Sequence, residues 1–346
     1  MNDLPLPPAR MAEELREAPE AVSRQRRDLA APLRELTLRL RVRPPAVVVT
    51  CARGSSAHAA TFGKHLIERH LRIPVAAAAP NIATVYRQRL RLDGQLFLAI
   101  SQSGRSDDLI ETAAMARQSG ALTAALVNAS DSPLAKACDI VLPLGAGIER
   151  SVAATKSFVT SLTALLALTA AWGRNEVLGR AIEILPQRLA GAGQLDWSAA
   201  ARAFAAAESL IAIGRGPTLA IAREAALKLK EVCNLHAEAF SGAEFLHGPV
   251  ALVGSHYPIL MLMANDDAGD GLRRLAADLR GKGAALLSAE PGAAEAERLP
   301  VLAPDQPDAD AVCLIQSFYA MVPLLAERRG IDPDKPRHLQ KVTRTR

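Results

Sequence analysis

Residues 96–118 read LFLAI, then SQSGRS, then DDLIETAAMARQ. The first five form a continuous apolar run, the pattern of a strand covered on both faces, and residues 107–118 carry a helical pattern. Between them stand Ser101, Gln102, Ser103, Gly104, Arg105 and Ser106. A strand that ends in small hydroxyl residues and a glycine, and then opens a helix, presents backbone N–H groups and serine hydroxyls to one point. The helix dipole favours negative charge at that point, so the turn is a candidate phosphate cradle. The same residues also make an ordinary polar turn and N-cap, and the segment alone leaves both readings open. It is neither a Walker loop nor a dinucleotide fingerprint, so the expected ligand is a small phosphorylated molecule.

Outward from this turn the chain repeats itself. The apolar run at 47–49 leads into Cys51-Ala52-Arg53-Gly54-Ser55-Ser56 and a helical pattern through Arg69. Later, 210–213 leads into Gly214-Arg215-Gly216-Pro217 and a helical pattern through Val232. Each is followed by a second strand (96–100; 259–264), a turn (101–106; 265–270), a helix and a third strand (122–127; 284–287). Two copies of one α/β unit account for this arrangement. The expected fold class is α/β, each copy a parallel sheet flanked by helices on both faces, with ligands beyond the carboxyl ends of the strands. The expected divisions are a helical lead at 1–42, interrupted at Pro19 and Pro32, a first domain at 43–190, a second at 195–330 and a tail at 331–346. The second domain opens on a helix at 196–207. Its ligand turn carries Asn265, Asp266, Asp267 and Asp270, whose charges repel a phosphate, so only the first copy is expected to hold an anion.

Composition agrees with this picture. A chain of 346 residues, 49% hydrophobic, can bury two cores, and with 3% aromatic content it has little with which to stack on the bases of single-stranded nucleic acid. The net charge of +5 is modest, and the clusters Arg24, Arg26, Arg27 and Arg344, Arg346 read as solvated segments near the ends. Cys51, Cys138, Cys233 and Cys313 are widely spaced, with no metal-binding pattern, and fit reduced thiols in a cytoplasm. The N-terminal ten residues lack the apolar stretch of a signal peptide. The apolar run at 158–172 is interrupted by Thr and Ser and falls short of the roughly 20 residues that span a bilayer. Neither a nucleic-acid nor a membrane partner is expected.

The second copy carries Glu224-Ala-Ala-Leu-Lys228-Leu-Lys-Glu231, then His236, Glu238, Glu244 and His247-Gly248-Pro249. On a helix Glu224, Lys228 and Glu231 share one face, with two carboxylates flanking one ammonium. That spacing also describes an exposed ion-pair ladder. Here two histidines follow, and His247 stands before a loop signal. A carboxylate that moves a proton between neighbouring carbons, a lysine that stabilises oxyanion charge and a histidine that opens a sugar ring make an aldose–ketose site that needs neither cofactor nor metal. A zinc site from His236, Glu244 and His247 lacks the ligand pattern such sites carry.

Six motifs in one order then resemble a known family: Ser101-Gln-Ser-Gly104, Val152-Ala-Ala-Thr-Lys156, the Glu224–Glu231 run, His236-Ala-Glu238, Glu244-Phe-Leu-His247-Gly-Pro, and Asp334-Lys-Pro-Arg-His-Leu-Gln-Lys341. From about Arg43 onward the chain looks like the isomerase half of glutamine–fructose-6-phosphate aminotransferase, which has two sugar isomerase (SIS) domains in tandem. The resemblance implies that Ser56, Ser101, Gln102, Ser103, Ser106 and Val152 surround a sugar phosphate. It implies Glu231 as the acid–base between C1 and C2, supported by Lys228. It further implies His247 as the ring-opening residue from the neighbouring subunit of a homodimer, and Lys341 as a tail residue closing over the sugar.

The family's glutaminase domain, with its N-terminal cysteine, has no counterpart before Cys51, so glutamine is not expected to supply nitrogen. The chain is most similar to a stand-alone type II glucosamine-6-phosphate deaminase. A plain sugar-phosphate isomerase or a deglycase of fructosyl-amine phosphates are the alternatives of the same class, and a non-catalytic sugar-phosphate sensor is the alternative of another. Gln340 and Arg53 replace smaller residues of the aminotransferase pattern, and Arg105 replaces an acid, so pocket shape and substrate are expected to differ.

Overall fold

The computed structural model describes residues 9–292 and 297–341. The expectations placed on residues 1–8 and 342–346, including Arg344 and Arg346, lie outside that range. In chain order, α1 (Arg10–Arg16) and α2 (Ala18–Val42) precede β1 (Val48–Ala52), α3 (Ser55–Leu66), β2 (Val75–Ala77), α4 (Asn81–Thr84) and β3 (Leu96–Ser101). Next come α5 (Asp107–Gln118), β4 (Leu122–Val127), α6 (Pro133–Ala137), β5 (Ile140–Pro143), α7 (Lys156–Gly173), α8 (Glu176–Ala192) and α9 (Ser198–Phe204). The second half contains β6 (Ser209–Gly214), α10 (Thr218–Cys233), β7 (His236–Ser241), α11 (Gly242–Phe245) and β8 (Pro258–Leu262). It closes with α12 (Gly269–Gly281), β9 (Ala285–Ala289), β10 (Arg298–Leu299) and α13 (Pro307–Arg328).

Two five-stranded, all-parallel sheets result, ordered β2-β1-β3-β4-β5 and β10-β9-β8-β6-β7. Read from the other edge, the second order is β7-β6-β8-β9-β10, so the internal repeat holds strand for strand. In each sheet the strand order reverses between the two central strands, β1 and β3 or β6 and β8. There the connecting helices leave to opposite faces and open a crevice beyond the strand ends. In the first sheet Val48 pairs with Leu96 and Ala52 with Ile100. That register brings the loop after β1 and the serine turn after β3 side by side at this crevice.

One large apolar core joins the halves, built from α2, α7, α8, α10 and α13 and the facing sides of both sheets. The outer faces of the first and second sheets are covered separately by α5 and α12. By length and composition α13 could cross a membrane, yet 78% of its most apolar window is buried, because it is the central helix of the shared core. Pro19 sits in the first turn of α2, where a missing N–H is harmless. Pro32, in contrast, does not interrupt α2. The helix runs through it, with Val22 and Leu29 on one side and Leu36 and Leu40 on the other all buried. Tertiary packing on both sides of the proline outweighs the local loss of one backbone hydrogen bond. The helix expected at 196–207 is shorter, Ser198–Phe204.

The lead helices also anchor the parts of the chain that reach the site. Asp334 in the tail accepts hydrogen bonds from the first two N–H groups of α1, Arg10 at 2.8 Å and Met11 at 3.3 Å. A carboxylate at a helix N-terminus is a favourable cap. Buried Glu14 of α1 accepts from the backbone N–H groups of Arg150 and Ser151. The tail and the 149–155 loop are thus fixed to one short helix.

Candidate functional site

A cavity of about 340 Å³ opens at the reversal point of the first sheet. It gathers residues from five distant stretches: Ser56 after β1; Ser101, Gln102, Ser103 and Ser106 after β3; Val152; Lys228 and Glu231 of α10; and Gln340 and Lys341 of the tail. Nine of the ten expected site residues therefore meet in one pocket. The tenth, His247, does not. It lies exposed just past the short helix α11; Glu244 within α11 and His236 at the start of β7 are exposed as well. Among the described residues no group of three or more His, Cys, Asp or Glu side chains is placed to hold a metal ion.

The serine turn differs from the simplest reading in one respect, since two of its backbone N–H groups are already occupied. Gly104 N–H donates to Ser101 Oγ at 3.1 Å and Arg105 N–H to Ser103 Oγ at 3.3 Å. Ser106, the N-cap of α5, makes no side-chain cap bond, so its hydroxyl remains available to a ligand. Gly104 adopts φ +62°, and a Cβ there would meet Ser132 Oγ at 2.1 Å and Val127 Cγ2 at 2.9 Å. Gly104→Ala is expected to cost about 1–3 kcal/mol through left-handed strain and this close approach. Urea titration checks the loss, and unchanged stability would show that the turn can relax.

Opposite the turn, α10 presents its charged face, and that face is not an exposed ladder. Glu224 and Lys228 are 0% and 1% exposed as side chains, and Glu231 is 23% exposed where the pocket opens. Lys228 Nζ lies 2.6 Å from Glu231 Oε2 and 3.3 Å from Glu224 Oε1, and it donates to Ser55 Oγ at 3.1 Å. Glu224 is fully engaged. Its Oε1 accepts from Ser55 Oγ at 2.9 Å and Tyr319 OH at 3.0 Å, and its Oε2 lies 2.8 Å from His58 Nδ1. Burial pushes the Glu224 carboxyl up, but Lys228 and His58 outweigh it and hold the group below the usual carboxylate range. For Lys228, burial disfavours the cation, while Glu224 and Glu231 more than compensate and raise its pKa. The ammonium is a fixed positive charge next to the Glu231 carboxylate.

The tail closes the third side. Lys341 Nζ donates to Glu149 Oε2 at 3.1 Å and to the Ser151 carbonyl. Glu149 is buried, which alone would raise its pKa; Lys341 and the donors Ser157 Oγ, Thr155 N–H and Ser157 N–H lower it instead.

The sequence reading did not assign roles to Ser55, His58, Glu149 or Tyr319. Ser55 stands inside the quoted Cys51–Ser56 stretch, next to Ser56. Tyr319 lies in an apolar helix and Glu149 is a single acid in a loop, and neither carries a local signal.

Residues 45–171 and 203–288 match the SIS domain. Over 318 residues the chain is 35% identical to a glutamine–fructose-6-phosphate aminotransferase of Symbiobacterium thermophilum, covering 85% of this chain and 51% of that protein. The chain spans about half the length of the curated relatives it matches. A solved structure from Silicibacter pomeroyi, described as a candidate phosphosugar isomerase, superposes with TM-score 0.90 at 43% identity, covering 94% of this chain and all of that one. The C-terminal domain of glucosamine-fructose-6-phosphate aminotransferase from Francisella tularensis superposes with TM-score 0.84 at 25% identity, over 97% of this chain and all of that one.

Proposed function

The chain belongs to the SIS domain family and is homologous to the isomerase half of glutamine–fructose-6-phosphate aminotransferase, and on that premise we propose that it deaminates an amino sugar phosphate, converting glucosamine 6-phosphate and water to fructose 6-phosphate and ammonia. The observation that carries this reading is the Glu231 carboxylate, 2.6 Å from a buried ammonium, in one pocket with a serine-lined turn at a sheet's reversal point.

In this reading Ser56, Ser101, Gln102, Ser103 and Ser106 hold the phosphate, and Val152 lies beside the sugar. His247, supplied by a second copy of the chain, opens the pyranose to the aldehyde. Glu231 removes the C2 proton, giving an enaminol whose C1 oxygen carries developing negative charge, and the Lys228 ammonium stabilises it. Glu231 then returns the proton to C1, which leaves an imine at C2. Water adds to that carbon, the C–N bond breaks, and ammonia leaves as the C2 carbonyl of fructose 6-phosphate forms. Lys341, held by Glu149, closes the pocket from the tail side.

The thiols support a reaction independent of glutamine hydrolysis by this chain. All four are buried, and burial pushes each up to about 12, so none is a ready thiolate nucleophile. Ammonia release from glucosamine 6-phosphate, measured with and without glutamine, tests the proposal. Ammonia and fructose 6-phosphate in equal amounts, unaffected by glutamine, is the expected result. Isomerisation of a sugar phosphate without ammonia would replace deamination with a plain isomerase, and tight binding without turnover would point to a sensor.

A further inference from the structure

Arg53 follows β1 at the reversal point and lines the pocket beside the serine turn. Its side chain is 53% exposed, yet its direction is set from below by Asp108, which is 2% exposed. Both Nε and one terminal nitrogen, NH2, lie 2.9 Å from Asp108 Oδ2. The other carboxylate oxygen accepts from Leu109 N–H at 2.9 Å, so the carboxylate itself cannot swing away. A guanidinium carries five N–H donors in a rigid fork, and this clamp occupies one edge only. The NH1 end has no protein partner among the described residues.

The charge arrangement gives that free end a purpose. The N-terminus of α5 favours an anion through its dipole, but Asp107 and Asp108 stand in its first turn. A buried carboxylate this close to the cradle would repel a phosphate. Arg53 cancels that charge and leaves donors over.

We propose that Arg53 is a phosphate-binding residue, positioned by Asp108, that makes this pocket select an anionic phosphate ester. The neutral serines set the shape of the cradle, and the guanidinium adds a cationic side chain beside the turn from the loop after β1. This rests on the reading of the pocket as a phosphate site, so the test uses inorganic phosphate as well as glucosamine 6-phosphate, both titrated by calorimetry.

Hydrogen bonds to charged groups predict that Arg53→Ala weakens binding of either ligand by about 10–100-fold, with a smaller dependence on salt. Because that variant strands the Asp108 charge, the double variant Arg53→Ala/Asp108→Asn is measured beside it and should show the same loss. Equal affinity of the wild type and the double variant for inorganic phosphate would overturn the proposal. An Arg53-dependent phosphate affinity without turnover of any amino sugar phosphate would sustain it while removing the deaminase reading.

Discussion

In the Glu231→Gln variant, the proposed turnover of glucosamine 6-phosphate is expected to fall by about 10²–10⁴-fold, the usual cost of losing a positioned acid–base group. The amide keeps the shape and still accepts from Lys228, so KM changes little and the loss appears in kcat. Exchange of the C2 proton with solvent deuterium, followed by NMR, should be lost together with turnover. Retention of full activity would assign the proton transfer to another group. The same variant locates His247, which stands outside the pocket of its own chain. Mixing Glu231→Gln with His247→Ala chains should restore part of the activity if a second copy supplies the histidine. Absence of rescue in demonstrated mixed dimers would place both residues in one subunit's site.

Replacing Lys228 by Met has a second large effect, this time on stability. Glu224, fully buried, loses its lysine partner, and breaking a buried pair from one side costs about 3–5 kcal/mol. Replacing Glu224 by Gln in the same chain should recover much of the loss, because the fully buried carboxylate is then gone and the only carboxylate left without Lys228 is Glu231, which is 23% exposed at the pocket mouth. Urea denaturation of the single and double variants reads the coupling directly, and additive losses would show that the pair is not a unit.

The pH dependence follows with a definite sign. Glu224 has a folded pKa below its ordinary 4.5, so its contribution is present above that value and is lost as pH falls through the folded pKa. Lys228 has a folded pKa above 10.5, so its contribution is present below that value and is lost as pH rises through the folded one. Between these limits the contribution of these two groups is flat with pH. Acid sensitivity that disappears in the double variant would identify Glu224 as its source.

Much of the architecture was legible because it is written in local patterns. The apolar runs β1, β3, β6 and β8 and the turns that follow them declare themselves within a dozen residues, and their recurrence declares the two units. The edge strands did not. β2 and β10 have three and two residues, too short to show a period, and they exist because a neighbouring strand offers unpaired backbone groups. Pro32 misled for the opposite reason, since a strong local signal was overridden by contacts on both sides of it.

The sequence by itself determined the α/β class, the tandem repeat, the serine turn and the shared helical face of Glu224, Lys228 and Glu231, because each depends on chemistry and spacing along one element. Only the tertiary structure decided which way that face points. The same i, i+4, i+7 spacing serves a solvated ladder or a buried charge network, and it is buried here because Ser55 and His58 of α3 and Tyr319 of α13 close over it. Nor could spacing along the chain reveal that Asp108 clamps Arg53, 55 residues away, or that Glu149 meets Lys341 across 192. Those pairings are set by sheet register and by the docking of the tail on α1, and both arise only once the core has folded.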